Sequence, residues 1–197
     1  RGKSFNQRSL IDTTIAGLSD VMPTPDGTTV FLATWCAAGT NVESLWKSSI
    51  PVTGTSWERV RISIVAGAAA NWGNAAGETI IRLNPDWATA PAVFWASPGA
   101  VATTDIQYSA DGGAVFAART TAPSPIQDLA VESKDIIYVA TGASVIKSTN
   151  GGWWFAPAVD AALGANIYSL AMAPSYPLKP KAGHLLVGSA GAAVSYS

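Results

Sequence analysis

The sequence predicts an all-β chain in which one small antiparallel unit is used four times. Three observations lead there. Short apolar runs of similar design recur along the chain, Pro and Gly punctuate nearly every connection, and no stretch sustains a long 3.6-residue apolar period.

The recurring runs are Val30-Phe31-Leu32-Ala33-Thr34, Val93-Phe94-Trp95-Ala96-Ser97, Ile137-Tyr138-Val139-Ala140-Thr141 and Leu185-Leu186-Val187-Gly188-Ser189. Each ends in a small hydroxyl residue, and these closing residues stand 63, 44 and 48 residues apart. Two of the three intervals fall near the roughly 40–50 residues of a four-strand repeat. A more amphipathic run follows each: 44–48, 105–109, 144–148 and 193–197. Alternation of this kind reads as a half-buried strand. Another precedes each: Asp20-Val21-Met22, Ile80-Ile81-Arg82-Leu83, Asp128-Leu129-Ala130-Val131 and Ser169-Leu170-Ala171-Met172. A last run completes the first three units at 57–61, 115–119 and Trp154-Phe155-Ala156. The expected units are 18–62, 78–119, 126–158 and 167–197 within one domain, 1–197, the fourth without its last strand.

Composition narrows the function classes. Charged residues are 13% of the 197, about half the usual quarter, and 12 basic against 13 acidic residues leave a formal charge of −1. A nucleic-acid partner is not expected, because phosphate contacts dominate that affinity and need a basic surface. No apolar stretch approaches the ~20 residues of a membrane helix. The single Cys36 excludes an internal disulfide framework and a cysteine-clustered zinc site, and the single His184 narrows acid–base and metal chemistry; no cofactor is expected. No targeting segment is visible near Arg1, and 192–197 read as a strand that stops without a turn. The expectation is a segment of a longer chain.

The most specific signal lies after the third strand. Residues 109–116 read Ser109-Ala110-Asp111-Gly112-Gly113-Ala114-Val115-Phe116, and 148–155 read Ser148-Thr149-Asn150-Gly151-Gly152-Trp153-Trp154-Phe155. The Asp or Asn suits an Asx-type turn, the second Gly suits a positive φ, and the aromatic closes the turn against the sheet. Both segments resemble the Asp-box, or BNR repeat, in which Ser or Thr, Asp, Gly and an aromatic recur at fixed spacing. The first unit keeps only Ser48 and Trp57 of that pattern. The resemblance implies a β-propeller of four-stranded antiparallel blades, here about four and part of a larger ring. It also implies structural roles for Ser109, Asp111, Gly113, Phe116, Ser148, Asn150, Gly152 and Phe155. The nearest likeness is to secreted bacterial envelope proteins with such repeats.

Catalytic candidates are few. Asp20 and Asp128 hold matching places at the start of first strands, and two acids flanking a bond are the minimum for glycoside hydrolysis. Their competing role is to accept hydrogen bonds from neighbouring backbone. Most arginines fall at fourth-strand or terminal positions, and Arg61-Ile62-Ser63 lacks the Arg-Ile-Pro signature of sialidases. Trp46, Trp57, Trp95 and Trp154 read as strand core, whereas Trp72, Trp87 and Trp153 lie in loops or turns where a ring can stack on a sugar or bury against a partner. The expected function is a non-catalytic structural or interaction module of a secreted or cell-envelope protein, such as a surface-layer component. Its partners would be the rest of a longer propeller, copies of itself or other envelope proteins, and glycans. The competing expectations are a carbohydrate-binding or glycoside-hydrolase propeller portion and a protein-binding assembly factor or receptor.

Overall fold

The computed structural model describes residues 15–36, 42–49, 57–64, 79–96, 106–119, 126–156, 166–172, 185–190 and 194–196. These residues form four separate antiparallel sheets and no helix. No helix among them is long and apolar enough to cross a membrane.

The first sheet is a meander of β1 (Gly17–Pro23), β2 (Thr29–Cys36), β3 (Val42–Ser49) and β4 (Glu58–Ile64). The second repeats it with β5 (Ile80–Leu83), β6 (Val93–Ala96), β7 (Ile106–Ser109) and β8 (Ala117–Ala118). The third has β9 (Ile126–Val131), β10 (Ile137–Thr141) and β11 (Ser144–Ser148); the fourth has β12 (Ile167–Met172), β13 (Leu185–Ser189) and β14 (Val194–Tyr196). Two sheets are therefore four-stranded and two three-stranded among the described residues. In the third sheet the expected last strand at Trp154-Phe155-Ala156 does not form. The Ala156 amide donates to Lys147 O at 2.8 Å, which is where such a strand would begin pairing.

The second strands are strongly apolar, and those of the two inner sheets are covered by a neighbouring sheet on both faces. Along β2, Phe31 and Ala33 turn toward the second sheet; along β6, Val93 and Trp95 turn back to meet them while Phe94 and Ala96 face the third sheet. The result is three cores in series, one between each pair of consecutive sheets. The first gathers Phe31, Ala33, Leu45, Ile81, Trp87, Val93 and Trp95. The second joins Phe94, Ile106 and Tyr108 to Ile126, Leu129, Ile137 and Val139, and the third joins Tyr138, Ala140 and Val145 to Ile167, Leu170, Leu185 and Val187. Burying each large side chain contributes about 1.5–3 kcal/mol, so the joints carry most of the stabilisation. Contacts between sheets gather on the first strands, β1 with β5, β5 with β9 and β9 with β12.

Three first strands carry a β-bulge at the same place. The pairing of β1 skips Ser19, that of β9 skips Gln127 and that of β12 skips Tyr168. The residues just after the skips are Asp20, Asp128 and Ser169, paired with Ala33, Ala140 and Gly188. In β5 there is no skip, and Ile80 stands opposite Ala96. A bulge re-aims the side chain next to it, and here it sets up the polar contacts between sheets.

Candidate functional site

Asp20 and Asp128 make the same set of bonds. Asp20 Oδ1 accepts the amide of Val21 at 2.8 Å and its Oδ2 accepts the amide of Ile81, in the next sheet, at 2.8 Å. Asp128 Oδ1 accepts the amide of Leu129 at 2.7 Å and its Oδ2 accepts the amide of Leu170, again in the next sheet, at 2.8 Å. Each carboxylate thus ties its own strand to the following one.

Arg82 joins the two acids. It lies on β5, where the bulge and the acid are missing. Its Nη1 donates to Asp20 Oδ2 at 3.2 Å and to Ile81 O at 2.9 Å, its Nη2 donates to Asp128 Oδ1 at 2.6 Å, and its Nε donates to Leu129 O at 2.9 Å. The side chains of Arg82 and Asp128 are 25% and 9% exposed, so this pair is largely removed from water. Both oxygens of both carboxylates are engaged, and the space between the acids holds a guanidinium. Such an arrangement fastens three sheets together.

The sequence singled out the two acids but assigned most arginines to outer positions, and so missed Arg82. The readable signal was a lone charged residue inside the short apolar run 80–83, which demands a buried partner. Among the described residues no group of three His, Cys, Asp or Glu side chains is placed to hold a metal ion. His184 and Trp72 lie outside the described residues.

The turns over 109–116 and 148–155 share one geometry. Ser109 Oγ donates to Asp111 Oδ1 at 2.6 Å and accepts the Gly113 amide at 2.9 Å; Ser148 Oγ donates to Asn150 Oδ1 at 2.9 Å and accepts the Gly152 amide at 2.9 Å. Asp111 Oδ1 also accepts the amides of Ala114 and Val115 at 3.0 Å, and Asn150 Oδ1 accepts that of Trp154 at 3.0 Å. The Ser109 hydroxyl first, then the Val115 amide and, after an opposing effect of burial, the Ala114 amide hold the Asp111 carboxyl below its ordinary value. Each turn also reaches the connection between the first two strands of its sheet, Gly112 N donating to Pro91 O at 2.7 Å and Gly151 N to Asp135 O at 2.8 Å.

Both glycines of each pair have positive φ, where only the second was expected to need it. The second one also packs closely on its surroundings. A Cβ on Gly113 would stand 2.9 Å from Phe31 Cε1 of the preceding sheet, and one on Gly152 would stand 3.4 Å from Ile137 Cδ1 of its own sheet and 3.5 Å from Arg119 Cβ, just after β8. Phe116 packs on the core between the first two sheets and Phe155 on the core between the second and third.

The tryptophans divide differently from expectation. Trp46 and Trp95 are buried as expected, while Trp57, just before β4, is half-buried. Trp87 is buried rather than presented to a ligand. The Ala90 amide bonds back to Asp86 O at 2.9 Å, which folds the 84–92 connection over, and the Trp87 ring meets Phe31 edge-on at 5.9 Å. Trp154, expected in a strand core, is exposed with Trp153; it sits in the turn rather than in a strand, at the place where Val115 of the other turn is exposed too. The Arg119 guanidinium lies between two rings, 4.2 Å from that of Tyr108 and 4.1 Å from that of Trp153, and its burial there pushes its pKa down.

No family model matches the chain, and no curated protein matches it.

Proposed function

We propose that the chain is a non-catalytic structural and interaction module, a segment of an Asp-box β-propeller in a secreted or cell-envelope protein. Four successive meanders that touch along their first strands have the contact pattern of blades set around an axis. The turns at 109–116 and 148–155 give each residue of the box a physical task, which supports that reading of the motif.

The observation that carries the non-catalytic reading is the commitment of Asp20 and Asp128. A glycosidase needs one carboxyl free to give a proton and another free to attack or to activate water. Here both are bonded to backbone amides of two sheets and to Arg82.

The interaction role is supported by the two end sheets. Ile81, Leu129 and Leu170 stand at one register position and are buried against the preceding sheet; Val21 at that position of the first sheet is exposed. Phe31, Phe94 and Tyr138 share another position and are buried against the following sheet; Leu186, their counterpart in the fourth, is exposed. Both places fit a further sheet of the same build, from more of this protein or from a neighbouring copy. The low charge of the surface suits a protein packed among neighbours in an envelope layer.

The test is a glycan-hydrolysis panel with unfolding curves on the intact chain and on Asp20→Asn and Asp128→Asn. The expected outcome is no hydrolysis by any of them and a lowered unfolding midpoint in both variants. Hydrolysis by the parent that either substitution abolishes, with the fold intact, would overturn the proposal.

A further inference from the structure

The two turns supply their own control for what a turn of this kind requires. The turn over 109–116 has Ala114 and Val115 where the turn over 148–155 has Trp153 and Trp154, yet the serine–glycine bond and the bond from the second of these amides, Val115 or Trp154, are made in both. Large rings there are therefore not needed to form the turn. They are also not withdrawn from water, since Trp153 is 53% and Trp154 60% exposed.

Trp153 is nonetheless held in place. Arg119 covers one face of its ring, is itself backed by Tyr108, and is fixed by the bond from its Nε to Gly151 O at 3.1 Å. A ring pinned in this way loses little freedom when something stacks on its open side. The connection bonded to this turn carries the exposed ion pair of Lys134 and Asp135, at 2.6 Å, which offers hydrogen-bond donors and acceptors at the same end of the sheet.

We propose that Trp153 and Trp154, with Lys134 and Asp135 beside them, form a binding site for one or two consecutive sugar units of a β-linked glycan of the gluco configuration. An all-equatorial pyranose turns axial C–H groups outward on both faces, and these are attracted to the negative face of an indole. Its hydroxyls ring the edge, where a carboxylate and an ammonium can meet them. The area argues for such a ligand over a protein. Two indoles bury at most about 300–500 Å², below the ~800 Å² per partner of a stable protein interface. The proposal concerns binding alone and does not depend on the propeller reading or on the absence of hydrolysis.

The experiment titrates the intact chain with β-1,4-linked hexasaccharides of glucose and of N-acetylglucosamine, read by tryptophan fluorescence and calorimetry. Saturable binding with a Kd of about a millimolar or tighter is expected for at least one of them. Trp153→Ala/Trp154→Val, which reproduces the Ala-Val of the other turn, should keep the unfolding midpoint and weaken binding at least about tenfold. Trp154→Ala alone, leaving Trp153 on Arg119, should weaken it less and serves if the double variant fails to fold. No binding of either sugar overturns the proposal, as does binding that survives both substitutions. A double variant that changes only self-association assigns the rings to a protein contact and overturns it equally.

Discussion

The turn over 109–116 is built around a carboxylate and the turn over 148–155 around a neutral amide, yet the serine in each makes bonds of the same length to the glycine amide. What the turn needs is an acceptor in the right place, and charge is an addition. The two also differ in their seats. The first rests against the Phe31 ring and the second against Ile137 and the aliphatic part of Arg119. Their serine–glycine bonding is thus interchangeable, while their seats are not.

Valine at the second glycine would break this comparison most sharply. Gly113→Val adds a β-branched residue at a φ of 88° with its Cβ 2.9 Å from a buried ring, whereas Gly152→Val does so at 89° with nothing nearer than 3.4 Å. Losses of about 3 kcal/mol or more for the first and about 2 for the second are expected in urea unfolding. Equal losses would show that the seats do not differ in tightness. A middle-sized effect should come from the serines. Ser109→Ala and Ser148→Ala each leave a buried glycine amide without its acceptor, so both should lose about 1–2 kcal/mol, and by similar amounts.

The smallest effect is the dependence on pH. The Asp111 carboxyl titrates below its ordinary value in the folded chain. Its contribution is therefore fully present above the unfolded value of about 4 and is lost as pH falls through the lowered folded value. Asp111→Asn should remove that increment of acid sensitivity while costing little at neutral pH, and Asn150→Asp should add one to the other turn. Unfolding midpoints measured between neutrality and strong acid would show it; identical acid profiles for the parent and both variants would mean that the carboxylate adds nothing beyond the amide.

The strands read most easily from sequence were the second strands of the sheets. In the runs ending at Ser97 and Thr141 the apolar character is continuous because neighbouring sheets cover both faces, and the runs ending at Thr34 and Ser189 share that composition although the described neighbour covers one face. Asp20 and Asp128 were also legible, as matching polar residues opening otherwise apolar strands. Failures came where the outcome rests on distant partners. Trp154-Phe155-Ala156 has the composition of a strand, but composition does not supply a pairing edge beyond the single bond to Lys147. Trp87 sits in a connection whose polar residues mark a loop, and only the fold-back at Asp86 brings it to Phe31. Arg82 owes its role to acids 62 and 46 positions away in the chain, which local patterning does not reveal.

In a series of repeats each unit ordinarily feels only its immediate neighbours, and unfolding can start at either end and advance by single units. Arg82 sharpens that rule: standing on the second sheet, it holds Asp20 of the first and Asp128 and Leu129 O of the third, so both neighbours lean on one side chain. Loss of either joint exposes the same guanidinium, and the first three sheets are therefore expected to unfold together. The fourth lies outside the Arg82 bonds and is held by its apolar joint, the Leu170 amide on Asp128 Oδ2 and the Ile167 amide on Gly142 O at 2.7 Å, so amide exchange is expected to be faster in β12 to β14 than in the first three sheets.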